Sequence, residues 1–479
     1  MFFCRVCLEE AFIVLFLICR IPYYLTLFPG NYGKDSFESV DMILGNIPWT
    51  NHHPIFFTAL IGAVVKLTEG LGDIGLSLGI FTAVHMILEC MTLSYISCKI
   101  FGYEKIRGSK GYIGKASVVF FAIHPIAAMY SMYISKDVLF SCAVALLVIT
   151  LLDMGKEVDL SGDLKISYSL KLGVLMLLTM LLRNNGALIV VGTGIVMCLC
   201  YKKQILKVLL PLVIAIVAFF AFKNIAYRAL DIKPESFAES ASVPLQQVGY
   251  VIKEHTDEEI EAVLTDEKYG ILCKVMPPVK VREVYELGYT DSYKFDKDFD
   301  DEFFNAHKSE FMRIWAKLLP KFFPEYVTSY LAQTAGYWHY GETNTVATQG
   351  VWEDNRIGVE RTDIIYNMTG LSLYSVIEKL MLGMRKAPLL CILSSMAMQF
   401  YAILLMFAAM LRRRYKGLVS DEGLKRTITA YMPLVLLWIS IMIATPAFCL
   451  FRYTYPFFIL WPVTIYILIN SDKGMENNR

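Results

Sequence analysis

Long apolar runs recur along the whole of this chain, and nothing else constrains its fold as strongly. A helix that crosses a bilayer needs about 20 mostly apolar residues, within a range of about 17–25. Runs of roughly that kind lie near 9–29, 75–98, 117–135, 137–154, 167–183, 186–201, 206–226, 388–411, 428–449 and 453–470. Composition agrees, since 56% of the 479 residues are hydrophobic and only 19% are charged. Soluble domains carry about 25% charged residues. The expected fold is an all-α polytopic membrane protein with about ten transmembrane helices. A net charge of +1 gives no global field for nucleic acid. The sequence has no GxGxxG and no Walker pattern, which argues against a nucleotide-driven pump.

The 11 cysteines do not read as a disulfide framework. Most, such as Cys90, Cys142 and Cys198, lie within apolar runs, where a thiol behaves as a small hydrophobe. Cys4 and Cys7 form a CxxC with no second pair at zinc spacing, so packing is the simpler reading. The first apolar run opens on Glu9 and Glu10 and has no small-residue cleavage site, which predicts an uncleaved membrane helix.

The run IFFTALIGAVVKL at 55–67 is short, carries Lys66 and ends in EGLGDIG, so it reads as an interfacial helix lying on the membrane. With that choice Lys99, Lys105, Arg107, Lys110, Lys115, Lys156, Lys165, Lys202, Lys203, Lys207 and the RRRYK run at 412–416 share one face, which the positive-inside rule makes cytoplasmic. The external face receives the 30–54 loop, SKD at 135–137, RNNG at 183–186, a long polar segment, and FRYTYP at 451–456. Three parts follow. Residues 1–226 form an N-terminal membrane module, 227–386 an external and mainly helical domain, and 387–479 the last three spans. Within the external domain, FMRIWAKLLPKFF at 311–323 reads as an amphipathic helix resting on headgroups. Polar groups at membrane depth are costly and usually face a cavity, so five polar motifs at one level predict one shared cavity.

Each motif admits two readings. Asp35, in KDSFESVD, is placed to act as a general base or a divalent-cation ligand. Equally, Asp35 caps a helix with Glu38 three residues on; Glu38 and Asp41 read as helix surface. In NHHP, His52 and His53 precede Pro54 at a helix start, where they would donate to an anion or simply sit at the interface. Adjacent histidines do not share a helix face, which argues against zinc. Lys136 and Asp137 form either a turn that caps the next helix or a second charged pair facing the cavity. Arg183, with Asn184 beside it, either snorkels or grips a phosphate, and Arg452 poses the same choice.

Taken in order and on one face, these motifs resemble the GT-C superfamily of membrane glycosyltransferases, such as protein O-mannosyltransferases and bacterial aminoarabinose transferases. The stretches NHHP, KDVLF, LLRNNG, ESASVPLQQVGYV and RYTYPFF are more closely similar to a bacterial family of uncharacterised membrane proteins grouped with them. The likeness covers most of the chain. It implies juxtamembrane helices in the first external loop and a sugar donor on a polyprenyl phosphate. The acceptor would be a cell-envelope glycan, lipid or protein, and the enzyme a multi-pass protein of the cell membrane with its active site on the extracytoplasmic face. It also implies Asp35 as base, Asp137 as the second acid, and Arg183 and Arg452 as holders of the lipid phosphate; from the residues themselves, His52, His53, Lys136 and Asn184 are expected to add substrate contacts. Asp35 departs from the DE pair of several relatives, because a serine follows it. The implied reaction needs no transition metal. A divalent cation, Mg or Mn, would fall to Asp35 and Asp137. Gln246 and Gln247 match the closer family without an assigned role. A transporter or flippase of lipid-linked glycans would instead place ionisable residues at several mid-membrane depths. A polymerase or ligase of polysaccharides shares the location and the lipid substrates.

Overall fold

The computed structural model describes residues 2–340, 350–386, 392, 394–444 and 450–470. The start of the expected 388–411 run and the end of the 428–449 run fall partly outside these residues. The described residues are helical and contain isolated β-bridges but no strand. The first ten helices are α1 (Phe2–Thr26), α2 (Lys34–Leu44), α3 (Ile55–Leu67), α4 (Ile74–Ile106), α5 (Tyr112–Ile123), α6 (Pro125–Met132), α7 (Lys136–Ser161), α8 (Ile166–Leu182), α9 (Gly186–Cys200) and α10 (Ile205–Leu230). The last three long ones are Met396–Tyr415, Asp421–Ile443 and Tyr455–Asn470.

Each of the ten expected runs contains helix among the described residues, but length and apolar composition qualify only 6 of the described helices as spans, or 7 with one bent pair. The bent pair is α5 and α6, which meet at 57°. Pro125 has no N–H to continue α5 and opens α6 instead, after an extended His124. α1 carries Glu9, Glu10 and Arg20, and α8 and α9 have 17 and 15 residues. α3 has 13 residues, about 20 Å at about 1.5 Å each, well short of a bilayer core of about 30 Å.

α7 is the hub. It packs against α4, α8, Asp421–Ile443 and Tyr455–Asn470, and 83% of its apolar window is buried. Such a helix must be apolar on all sides, as VLFSCAVALLVITLL is. Two glycines make room at close contacts, Gly155 for a side chain and Gly186 for a neighbouring backbone. A Cβ on Gly155 would lie 2.5 Å from the Arg426 side chain, and one on Gly186 would lie 2.1 Å from the Thr179 carbonyl oxygen. The second explains why RNNG ends in glycine: the first turn of α9 sits against the last turn of α8.

Backbone pairing fixes the first loop. The amide of Asn31 donates to the Met132 carbonyl at 2.8 Å, and that of Ile134 to Asn31 at 3.0 Å. Tyr32 exchanges backbone bonds with Gly350 and Trp352, both at 2.8 Å. α2 therefore starts beside the start of α7. Farther on, Lys233 bonds Trp49 and Asn51, at 3.0 and 3.1 Å, and draws residues 233–235 to the histidines.

A second apolar core, built from Ala238 to Tyr326, is separate from the main one. The helix Lys308–Leu318 buries Phe311, Ile314 and Leu318 there, so the amphipathic face expected on headgroups is covered by protein. Gln246 and Gln247 are buried in this core. Gln246 donates to the Tyr285 hydroxyl at 2.8 Å, and Gln247 accepts from Trp315 Nε1 at 2.7 Å. Their role here is polar packing.

Candidate functional site

The predicted charged residues converge at one end of the bundle. Gly33, in an extended conformation, takes the N-cap position of α2, so Asp35 is free of the expected capping role and sits in the first turn. There the helix dipole favours a carboxylate. Arg452, in the 3-10 turn Phe451–Thr454, donates through Nη1 to Asp35 Oδ2 at 2.8 Å and to the Tyr133 hydroxyl at 3.1 Å. Its Nε lies 3.6 Å from Asp137 Oδ2. Arg183, just past the end of α8, puts Nη1 3.1 Å from Asp137 Oδ1. The network thus runs Asp35, Arg452, Asp137, Arg183, drawn from four distant segments.

Asp137 is fully buried while 38% of the Asp35 side chain is exposed, so Asp35 is the end of the network that an incoming molecule meets. Asp137 is not the cap of α7 as expected. Ser135 is, accepting from the Asp137 amide at 3.2 Å and donating to Asp137 Oδ2 at 3.1 Å. Tyr453 lies between the arginines: Arg183 stacks 4.3 Å from its ring centroid and Arg452 lies 5.2 Å from it.

A second chain runs beside the first. Lys136 Nζ lies 3.0 Å from His53 Nδ1, and His53 Nε2 lies 2.9 Å from Glu38 Oε2. Burial pushes the His53 imidazole down, the Lys136 charge adds to this, and its pKa falls to about 4. The neutral ring therefore accepts from Lys136 at Nδ1 and donates from Nε2 to Glu38. Glu38 is no bystander on the helix surface, and its carboxyl is held below the ordinary value by that bond against the opposing effect of burial. Asp41 is not surface either: it is buried and accepts from Asn46 at 2.8 Å. His52 lies against the His53 ring and bonds Glu235 at 3.1 Å, which raises its pKa against the effect of burial. Asn184 is exposed and outside the network.

Asp35 titrates far from a base's range. Burial pushes its carboxyl up, but Arg452, Lys136 and His53 outweigh this and hold it well below the usual carboxylate value. While Arg452 holds it, Asp35 is a permanent anion and a weak base.

A divalent cation does not fit the residues expected to hold it, because Asp35 and Asp137 are each taken by arginine. Two other donor groups lie close together, Glu38 with His52 and His53, and His52 with Glu235 and Glu239. In the first, Lys136 fills His53 Nδ1 and leaves the proton on Nε2. In the second, Lys294 is 3.0 Å from Glu239. Protons and lysines already occupy these donors.

Residues 46–479 match the family described as "Family of unknown function (DUF6020)". The chain belongs to that family. The matched residues include His52, His53, Lys136, Asp137, Arg183 and Arg452, while Asp35 and Glu38 precede them. No curated protein matches the chain. No solved structure matches it either.

Reading charged motifs alone overlooked Tyr133, Tyr453 and Glu235, and placed Glu38 on the helix surface. The two tyrosines stood in plain view, two residues before SKD and one after Arg452. Glu235 carried no local signal, since its link to His52 depends on the pairing at Lys233.

Proposed function

We propose that this chain is a membrane glycosyltransferase. It takes a sugar from a polyprenyl-phosphate donor and passes it to a cell-envelope glycan, lipid or protein outside the cell membrane. In this reading all ten apolar runs cross the bilayer, and the network lies on the extracytoplasmic side. One observation carries the proposal: Asp35, Asp137, Arg183 and Arg452, from four remote segments, meet in one ion network beside the Lys136–His53–Glu38 chain. Polar groups gathered this way at one end of an apolar bundle are costly unless they serve a substrate.

The chemistry follows from the charges. A donor phosphate competes with Asp35 for Arg452, since arginine binds phosphate and carboxylate with the same paired geometry. Once Arg452 turns to the phosphate, the main cation depressing the Asp35 pKa is lost and the carboxylate becomes a better base. Asp35 then takes the proton of the acceptor hydroxyl, and the acceptor oxygen forms its bond to the anomeric carbon. The bond from that carbon to the phosphate oxygen breaks, and polyprenyl phosphate departs with its charge held by Arg452, Arg183 and Lys136. The test is a lipid analysis of a deletion strain complemented with wild type, Asp35→Asn or Arg452→Gln. The two variants should leave a polyprenyl-phosphate sugar accumulated and an envelope glycan short of one residue. Unchanged lipids and glycans in the uncomplemented strain would overturn the proposal.

One observation favours a second reading, a transporter of lipid-linked glycans. Arg20, His85 and Glu89 are buried at intermediate depth. Arg20 donates to Ser131 at 2.7 Å, His85 bonds the Ser131 carbonyl at 3.2 Å, and Glu89 accepts from Tyr455. Deeper still, Asp153 accepts from Lys99 and Tyr103. Ionisable groups strung through the bundle suit a path across it. Purified protein in vesicles separates the two: a transferase consumes the donor sugar, whereas a transporter moves intact donor between leaflets.

A further inference from the structure

We propose that the end of the bundle opposite the Asp35 network binds a phosphate group, brought there by an anionic membrane lipid. The inference rests on the membrane fold and not on the transferase reading. Lys156 follows Asp137 by 19 positions on α7, which places it about 29 Å farther along at about 1.5 Å per residue. There α4, α7 and the last three long helices enclose a cleft of about 630 Å³, mouth included. Arg107, Lys156 and Arg426 line it together with Ser420.

Four of the neighbouring carboxylates are already engaged, while Glu422 is exposed to solvent in the first turn of the helix Asp421–Ile443. Asp153 accepts from Lys99 and Tyr103, and Asp159 holds Arg426. Glu104 accepts from the backbone amides of Ile113 and Gly114, and Asp421 pairs with Arg414. Among the described residues Lys156 and Arg107 have no carboxylate partner. The Lys156 ammonium rests 3.1 Å from the Tyr103 ring centroid. Arg107 donates to the Asn470 carbonyl, but its Nε is buried with no acceptor. Ser420 and Gly423, at the N-terminus of the helix Asp421–Ile443, also line the cleft, with the Gly423 amide donating to the Ser420 hydroxyl that caps the helix, at 3.1 Å.

Arg107 and Lys156, neither ion-paired to a carboxylate, lie in a cleft walled partly by Leu152 and Met410, where an unpaired charge is costly. A phosphate supplies several acceptors at once and suits arginine geometry. Basic pockets between membrane helices take lipid phosphates in this way.

Thermal unfolding of the full-length protein in detergent tests the site. Phosphatidylglycerol should raise Tm by several degrees, and phosphatidylcholine should not. The double variant Arg107→Gln with Lys156→Gln should lose the shift, while Lys156→Arg, which keeps the charge, should retain it and serves as the control for folding. Inorganic phosphate separates the sources: a shift with the lipid alone supports the lipid, and a shift with inorganic phosphate alone overturns the lipid source. Equal shifts with both phospholipids, or a shift that survives the double substitution, would overturn the site.

Discussion

At the residue scale, the two ends of the ion network should respond differently to neutralisation. Asp137 is fully buried between two arginines, and removing one partner of a buried pair costs about 3–5 kcal/mol. Asp137→Asn should lower stability by that order in a denaturant titration, while Asp35→Asn, at the exposed end, should lower it far less and chiefly abolish the proposed transfer. Equal losses of stability would mean the network is a structural staple throughout. His53 gives a pH signature of defined sign. Its native pKa of about 4 lies below the unfolded value of about 6.5, so the unfolded chain binds the extra proton between those values. Its contribution is present above that window and is lost as pH falls through it. Between pH 7 and pH 5 the loss is about 2 kcal/mol by linkage. His53→Asn should flatten this stretch of the stability profile, and an unchanged slope would refute the assignment.

At the element scale, Gly186 is the position with least room. Alanine there would set a methyl group 2.1 Å from a backbone oxygen that no side-chain rotation can move. Overpacking of this kind costs about 1–3 kcal/mol, so Gly186→Ala should lower Tm and displace Arg183 from Asp137, while Gly102→Ala, in α4 with open space around it, should not. The helices were legible because apolar runs announce themselves over many residues. Their ends were less so. Asp35 and Asp137 both read as caps, yet Gly33 and Ser135 hold those positions, because acids in a first turn and acids at a cap leave nearly the same pattern. The helix Lys308–Leu318 was misplaced for a similar reason, since an apolar stripe suits a headgroup layer and a protein core equally well.

At the scale of the whole molecule, Asp35 and Lys156 sit at opposite ends of the bundle, a separation that a membrane would turn into opposite sides. Cysteines introduced at Lys34 and Lys110, both exposed, should react with an impermeant maleimide from different sides of intact cells. Labelling of both from one side would remove the topology on which the external site depends. The convergence of charges at one end was readable from the alternation of basic loops, but the pairing within it was not. Asp35 and Arg452 are 417 positions apart, and no local rule links them. That distance orders events during synthesis. The first loop is made early and then waits, its carboxylate near Lys136 but without Arg452, until nearly the whole chain has left the ribosome. A polypeptide stopped short of Arg452 would still insert its earlier helices, because insertion reads only their greasiness. Such a fragment would pass the translocon unnoticed, with the fault visible only where Asp35 lacks its arginine.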